Sequence, residues 1–233
     1  IGRSREKNLD TYDGFAIQQA NLAYVTDNSH FGFASPLRGG RSRFEIEKYF
    51  GKLKYFGALA DYRKYFFINP ISIATRLYHY GRYGNTSGNE VMTPLYIGYP
   101  WMIRGYENNT VGQPASYNNL TLDQLIGTRM AIGNFEVRIP LTGPERLALF
   151  KSKFLMSELA LFFDAGMAWY KDSNIEFSWS AETSNQRIPI YSTGASVRVN
   201  LFGYMVLEPY VAIPFQAGTM ENISFGLNFT PGW

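Results

Sequence analysis

Residue types suited to acid–base, nucleophilic or metal chemistry are sparse in this sequence of 233 residues. It holds two histidines, His30 and His79, and no cysteine, which removes disulfide frameworks, thiolate zinc sites and cysteine nucleophiles together. The histidines lie in different segments, too few for a histidine-rich metal centre, and His79 follows an apolar position, as a packed or interfacial side chain would. No Gly-x-Ser-x-Gly elbow and no glycine-rich phosphate loop closed by Lys-Ser or Lys-Thr occurs. A hydrolase built on strand rims would set a serine beside a histidine and a carboxylate, and no spacing here singles out such a set. Asp172, Asn174 and Glu176 offer oxygens of the kind Ca²⁺ takes, in a pattern equally common in solvated loops. The expectation is a protein that is not an enzyme and needs no cofactor or metal. What remains is isolated charge, such as Glu136, Arg138 and Asp164, whose meaning depends on the elements that carry it.

Those elements read as strands. Hydrophobic residues make up 45% of the chain and charged residues only 18%, with 18 Phe, 17 Tyr and 22 Gly, a composition that favours extended structure and tight turns. The net charge of +3 is too small, and Lys and Arg too dispersed, for a nucleic-acid surface. No stretch approaches the roughly 20 apolar residues of a membrane-spanning helix. Instead, segments of period two recur. Phe135, Val137 and Ile139 oppose Asn134, Glu136 and Arg138; Ala195, Val197 and Val199 oppose Ser196, Arg198 and Asn200. Met205, Leu207, Val211 and Ile213 oppose Glu208, Tyr210 and Ala212, while Ile223, Phe225, Leu227 and Phe229 oppose Ser224, Gly226 and Asn228. Looser alternation precedes them, with Phe44 and Ile46 against Glu45, Phe56 to Tyr62 against Asp61, and Ile71 to Leu77 against Arg76. About nine strands follow: 13–26, 40–50, 53–67, 69–83, 127–141, 157–170, 190–203, 204–215 and 222–230. Residues 145–156 could carry a short helix in a turn.

Two architectures suit one oily and one charged face. In a soluble sandwich the oily face is the core; in a transmembrane barrel it meets lipid and the polar face lines the lumen. The segment lengths match the ~9–11 residues of a tilted membrane strand, and aromatics gather at strand ends (Tyr65, Phe66 and Phe67; Tyr78, Tyr80 and Tyr83; Trp169 and Tyr170), as interfacial girdles do. Long polar connections at 84–126 and 171–189 alternate with short turns, and 141–156 is an intermediate exception. The reading is an all-β, antiparallel transmembrane β-barrel.

The segment Trp101-Met102-Ile103-Arg104-Gly105-Tyr106, followed in order by Asn134-Phe135-Glu136-Val137-Arg138-Ile139-Pro140 and Phe162-Phe163-Asp164-Ala165-Gly166, resembles the ordered motifs of the bacterial surface antigen superfamily. That superfamily comprises BamA-like outer-membrane assembly factors and two-partner secretion transporters. Asp27 to Gly32 with Pro36 and Gly39 resembles a turn feeding a family strand. Ala60 to Phe66 and Tyr80 to Gly84 resemble a sub-branch whose barrels follow a periplasmic TolB-like propeller. The likeness runs from about Asp27 to Trp233.

This resemblance implies a bacterial outer-membrane location and a single barrel domain over 1–233, with 84–126 an extracellular loop folded into the lumen. It implies that Arg104 pairs with Glu136 and Asp164, and strand parity agrees, since both carboxylates fall on polar faces. Gly105 would allow a sharp turn there, Tyr106 would pack on the wall and Gly166 would leave room beside it. Ile223, Phe225, Leu227 and Phe229 would lie on the last strand, one side of a lateral seam that templates client strands, with Pro231 ending the pairing. Five strands after an external loop put the C-terminus on the periplasmic side. Single-chain bacterial barrels have even strand numbers, so closure needs strands beyond the nine. The chain opens at Ile1 without an initiator Met or signal peptide and reads as a mature or trimmed product. Expected partners are outer-membrane lipid and lipopolysaccharide, together with client or partner outer-membrane proteins. The implied function is inserting, translocating or organising outer-membrane polypeptides; the alternatives are a non-catalytic anchor of a larger complex and a passive pore, which the inward loop would oppose.

Overall fold

A computed structural model describes residues 17–32, 34–88, 91–107, 120–146, 148–152, 155–183, 185–216 and 223–231. Nine long strands dominate: β1 (Ile17–Asp27), β2 (Pro36–Gly51), β3 (Phe56–Ile68), β4 (Ile71–Tyr83), β5 (Arg129–Gly143), β6 (Met156–Trp169), β7 (Ile190–Leu201), β8 (Met205–Pro214) and β9 (Ser224–Pro231). Each pairs antiparallel with the next in chain order, from β1 to β9. All nine expected strands form, most of them shifted by a few residues. The start of the first (13–16), Lys153, the loop segment 108–119, the turn segment 217–222 and the terminal Gly232-Trp233 lie outside the described residues.

The alternation sets the orientation of every side chain. On β6, Ala160, Phe162 and Asp164 are buried while Leu161 and Phe163 are exposed; on β8, Val206, Glu208, Tyr210 and Ala212 are buried opposite exposed Val211. Exposed rows of Phe44 and Ile46, Phe135, Leu161 and Phe163, and Phe225, Leu227 and Phe229 cover the outer wall. An apolar surface this extensive is far beyond the patches that water-soluble monomers carry. Glu136, Arg138, Glu158, Asp164, Arg198 and Glu208 point the other way, into the concave side.

Strict antiparallel order gathers the connections 52–55, 84–128, 170–189 and 215–223 at one end, and 28–35, 69–70, 144–155 and 202–204 at the other. The long loops share one end, the arrangement of outer-membrane barrels. Among the described residues the sheet is open, with β1 bonded only to β2 and β9 only to β8. All eleven residues of β1 are exposed, so that strand stands clear of the packed interior.

Two expectations are corrected. Among the described residues of 145–156 no helix forms. Ala148 N–H bonds the Pro144 carbonyl in a single turn, and Phe150–Lys151 runs parallel to the end of β5. A one-turn 3₁₀ helix appears instead at Leu122–Leu125, where Gln124 Oε1 accepts from Thr121 N–H at 2.6 Å. Several supposed girdle aromatics face inward. Tyr65 is buried with the Arg138 guanidinium 5.7 Å from its ring, and Tyr78 and Tyr80 pack on an interior cluster. The reason is parity combined with filling, because a loop inside the sheet gives inward rings a surface to cover. Phe66, Tyr83 and Trp169 keep to the outward face.

Candidate functional site

That loop leaves β4 at the long-loop end and turns into the concave side. Ile97, Ile103, Tyr106, Leu120 and Leu125 bury themselves against Met130 and Ile132 of β5, Ala168 of β6 and Ile190 of β7. The apolar residues of an otherwise polar segment thus find a core inside the curve of the sheet. Polar anchors then fix it strand by strand. Arg76 on β4 donates to the Trp101 carbonyl at 2.9 Å, and Asn134 on β5 donates to the Met102 carbonyl at 2.8 Å.

Arg104 is the deepest anchor. Its Nε and Nη2 donate to Oδ2 and Oδ1 of Asp164 at 2.8 and 2.9 Å, and its backbone N–H adds a third bond to Oδ2 at 3.2 Å. Nη2 also lies 3.0 Å from Glu136 Oε1, and Nη1 lies 3.4 Å from Glu208 Oε1. The guanidinium plane rests 3.5 Å from the centroid of Phe162. Bidentate pairing, a second carboxylate and a ring face use the planar fork in ways that an ammonium cannot. Burial works against the Arg104 charge, but Asp164, Glu136 and Glu208 outweigh it and hold the pKa above the ordinary arginine value.

The neighbours follow the same logic. Gly105 has φ +93°, and a Cβ there would sit 3.1 Å from Ala212 Cβ, so a side chain is strained on both counts. The Tyr106 hydroxyl, 2.8 Å from both the Tyr191 carbonyl and Gln216 Oε1, also accepts from Gln216 N–H at 3.2 Å. Burial raises its pKa well above the usual tyrosine value, which keeps it a neutral donor. Glu107 accepts from the Tyr210 hydroxyl and from Ser224 Oγ, tying the loop to β8 and β9. A Cβ on Gly166 would meet Ile103 Cδ1 at 2.5 Å, so the wall is left bare where the loop presses on it.

Arg104, Glu136 and Asp164 are thus brought together, with Gly105, Tyr106 and Gly166 around them. The network is wider than those residues. Arg198 on β7 bonds Glu136 Oε1 at 2.9 Å, Glu208 Oε1 at 2.9 Å and Glu158 Oε1 at 3.2 Å. Arg138 bonds Glu136 Oε2 at 2.8 Å and reaches the Pro36 carbonyl at 3.2 Å, while Ser35 Oγ donates to Glu158 Oε2 at 2.8 Å. The 28–35 turn therefore enters the same network from the opposite end. Glu208, Arg198 and Glu158 share polar faces legible by parity; nothing in the sequence marks Ser35. Ile223, Phe225, Leu227 and Phe229 are all exposed on the outer face and stand apart from the anchor. No cluster of metal-ligating side chains occurs among the described residues. Glu176 is occupied by Asn174 Nδ2 at 2.7 Å and Gln186 Nε2 at 3.0 Å.

An oily exterior, a charged concave interior and an arginine-anchored inward loop define a membrane β-barrel of the surface-antigen type. The chain belongs to the Omp85 superfamily: the Omp85 superfamily domain matches residues 6–232. Members of that family are bacterial outer-membrane barrels of the assembly and secretion type. A search of curated proteins found no match to the chain.

Proposed function

We propose that this chain forms barrel wall of an outer-membrane protein that inserts or translocates polypeptides, and that it does so without covalent chemistry or a cofactor. The observation that carries the reading is the loop anchored by Arg104 on Asp164 and Glu136, spanning β4 to β9 inside the sheet. A loop held this way blocks free passage while leaving the strand edges available. The outer edge of β9, unpaired among the described residues, offers backbone donors and acceptors to a client strand. Client and lipid partners follow from this reading.

A client-folding assay with Arg104→Ala tests it. Impaired client folding by a variant that still inserts and shifts on heating supports the assembly role. Unimpaired folding supports the second reading, a non-catalytic anchor within a larger complex, which the density of the buried ion network favours. The propeller-associated sub-branch suits either reading.

A further inference from the structure

The outer wall carries a groove of about 740 Å³ between β2 and β7, away from both open edges. Its floor is made of small residues on adjoining strands. Ala60 pairs with His79 and His79 with Ala131, while Gly133 pairs with Ala165. Tyr62 and Leu77 stand on one side, and Phe177 and Tyr191 on the other. A smaller hollow of about 380 Å³ lies further along the wall, beside Ala195, Pro209 and Val211.

One register step toward the long-loop end lies a cation. Arg129 pairs in register with Gly81 on β4 and Trp169 on β6. The Tyr83 ring lies over Gly81, its hydroxyl 2.8 Å from His79 Nε2, and the Arg129 guanidinium sits 4.5 Å above that ring. Trp169 lies 6.0 Å from the His79 ring. Arg129 pairs with no carboxylate among the described residues, and its Nε is buried without a partner there. The guanidiniums of β3 to β7 that point inward, unlike Arg129, have acidic partners or carbonyls. A cation left uncompensated on a lipid-facing wall, at the depth of an aromatic cluster, is costly unless an anion meets it, and lipid phosphates supply that anion at the interface.

We propose that this groove is a specific site for one phosphorylated lipid of the external leaflet, of the lipid A class. An acyl chain lies along Ala60, Ala131, Gly133 and Ala165, and the phosphate sits on Arg129 between Tyr83 and Trp169. The groove's volume is within the roughly 300–1,000 Å³ of ordinary ligand sites. The proposal rests on the barrel spanning the outer membrane.

Full-length protein in detergent micelles, mixed with lipid A or with the same glycolipid stripped of phosphate, would be followed by native mass spectrometry. Insertion into vesicles and the heat shift on electrophoresis are scored separately, so failure of the membrane reading would show as failure to insert. The expected result is one retained lipid A, preferred over the dephosphorylated form. Arg129→Gln should lower retention about tenfold and erase that preference. Gly133→Leu, at a position where an added Cβ meets only Leu77 Cδ2 at 3.8 Å, should fill the floor and lower binding of both lipids. If that variant inserts poorly, Ala165→Leu serves in its place. Wild-type retention by both variants, or a second copy of the chain in place of the lipid adduct, would overturn the proposal.

Discussion

Asp164 is fully buried and meets the loop arginine through both oxygens. Removing the cation leaves that carboxylate and Glu136 with less compensation, which for a desolvated pair costs about 3–5 kcal/mol. Arg104→Ala is therefore expected to lower the urea midpoint of the folded barrel by an amount approaching that range. Arg104→Lys keeps the charge but loses the parallel bonds, so its loss should be smaller, about 1–2 kcal/mol. Urea titrations in vesicles measure both. Equal stability in all three proteins would mean that Ile97, Ile103 and Tyr106 hold the loop without the ion network. Gly105→Ala meets positive φ and Ala212 together and should release the loop tip with the strands intact.

Loop and strand are coupled where the wall is bare. Gly166→Val would push a side chain into Ile103, and the expected outcome is faster proteolysis of the 84–126 segment with unchanged strand content by circular dichroism. Unaltered protection would show that Ile103 can move aside. The turn at the other end contributes less. Ser35→Ala removes one of the two polar partners that Glu158 has among the described residues and should cost about 1 kcal/mol. Strand positions were legible because membrane-facing alternation writes itself into period two, and Glu136 and Asp164 lay on the correct faces for the same reason. The inward direction of Tyr65, Tyr78 and Tyr80 was not, since a tyrosine suits both an interface and a filled lumen and only the loop's course decides. The loop's own contacts were legible only from Arg104 to Tyr106, and there through the family resemblance. Irregular backbone anchored through carbonyls at Trp101 and Met102 has no period, and Ser35 acts across 123 positions of sequence.

Along the network around the inserted loop, charge is matched. The guanidiniums of Arg63, Arg76, Arg104, Arg138 and Arg198 are met by Asp61, Glu136, Glu158, Asp164 and Glu208. A balanced, mutually bonded lining around an inserted loop predicts slow swelling of proteoliposomes in small sugars, and faster swelling for Arg104→Ala. Fast wild-type swelling would favour an open pore. The arrangement as a whole requires the oily faces to meet acyl chains. Because the chain lacks cysteine, spin labels can be placed singly at Val197, Val199 and Leu227 on the outer face and at Asn200 and Asn228 on the inner one. In reconstituted vesicles, the outer positions should collide readily with dissolved oxygen and scarcely with a water-borne nickel chelate, and the inner positions should show no such preference for oxygen. Outer labels shielded from oxygen, or equal behaviour on the two faces, would contradict a lipid-facing wall.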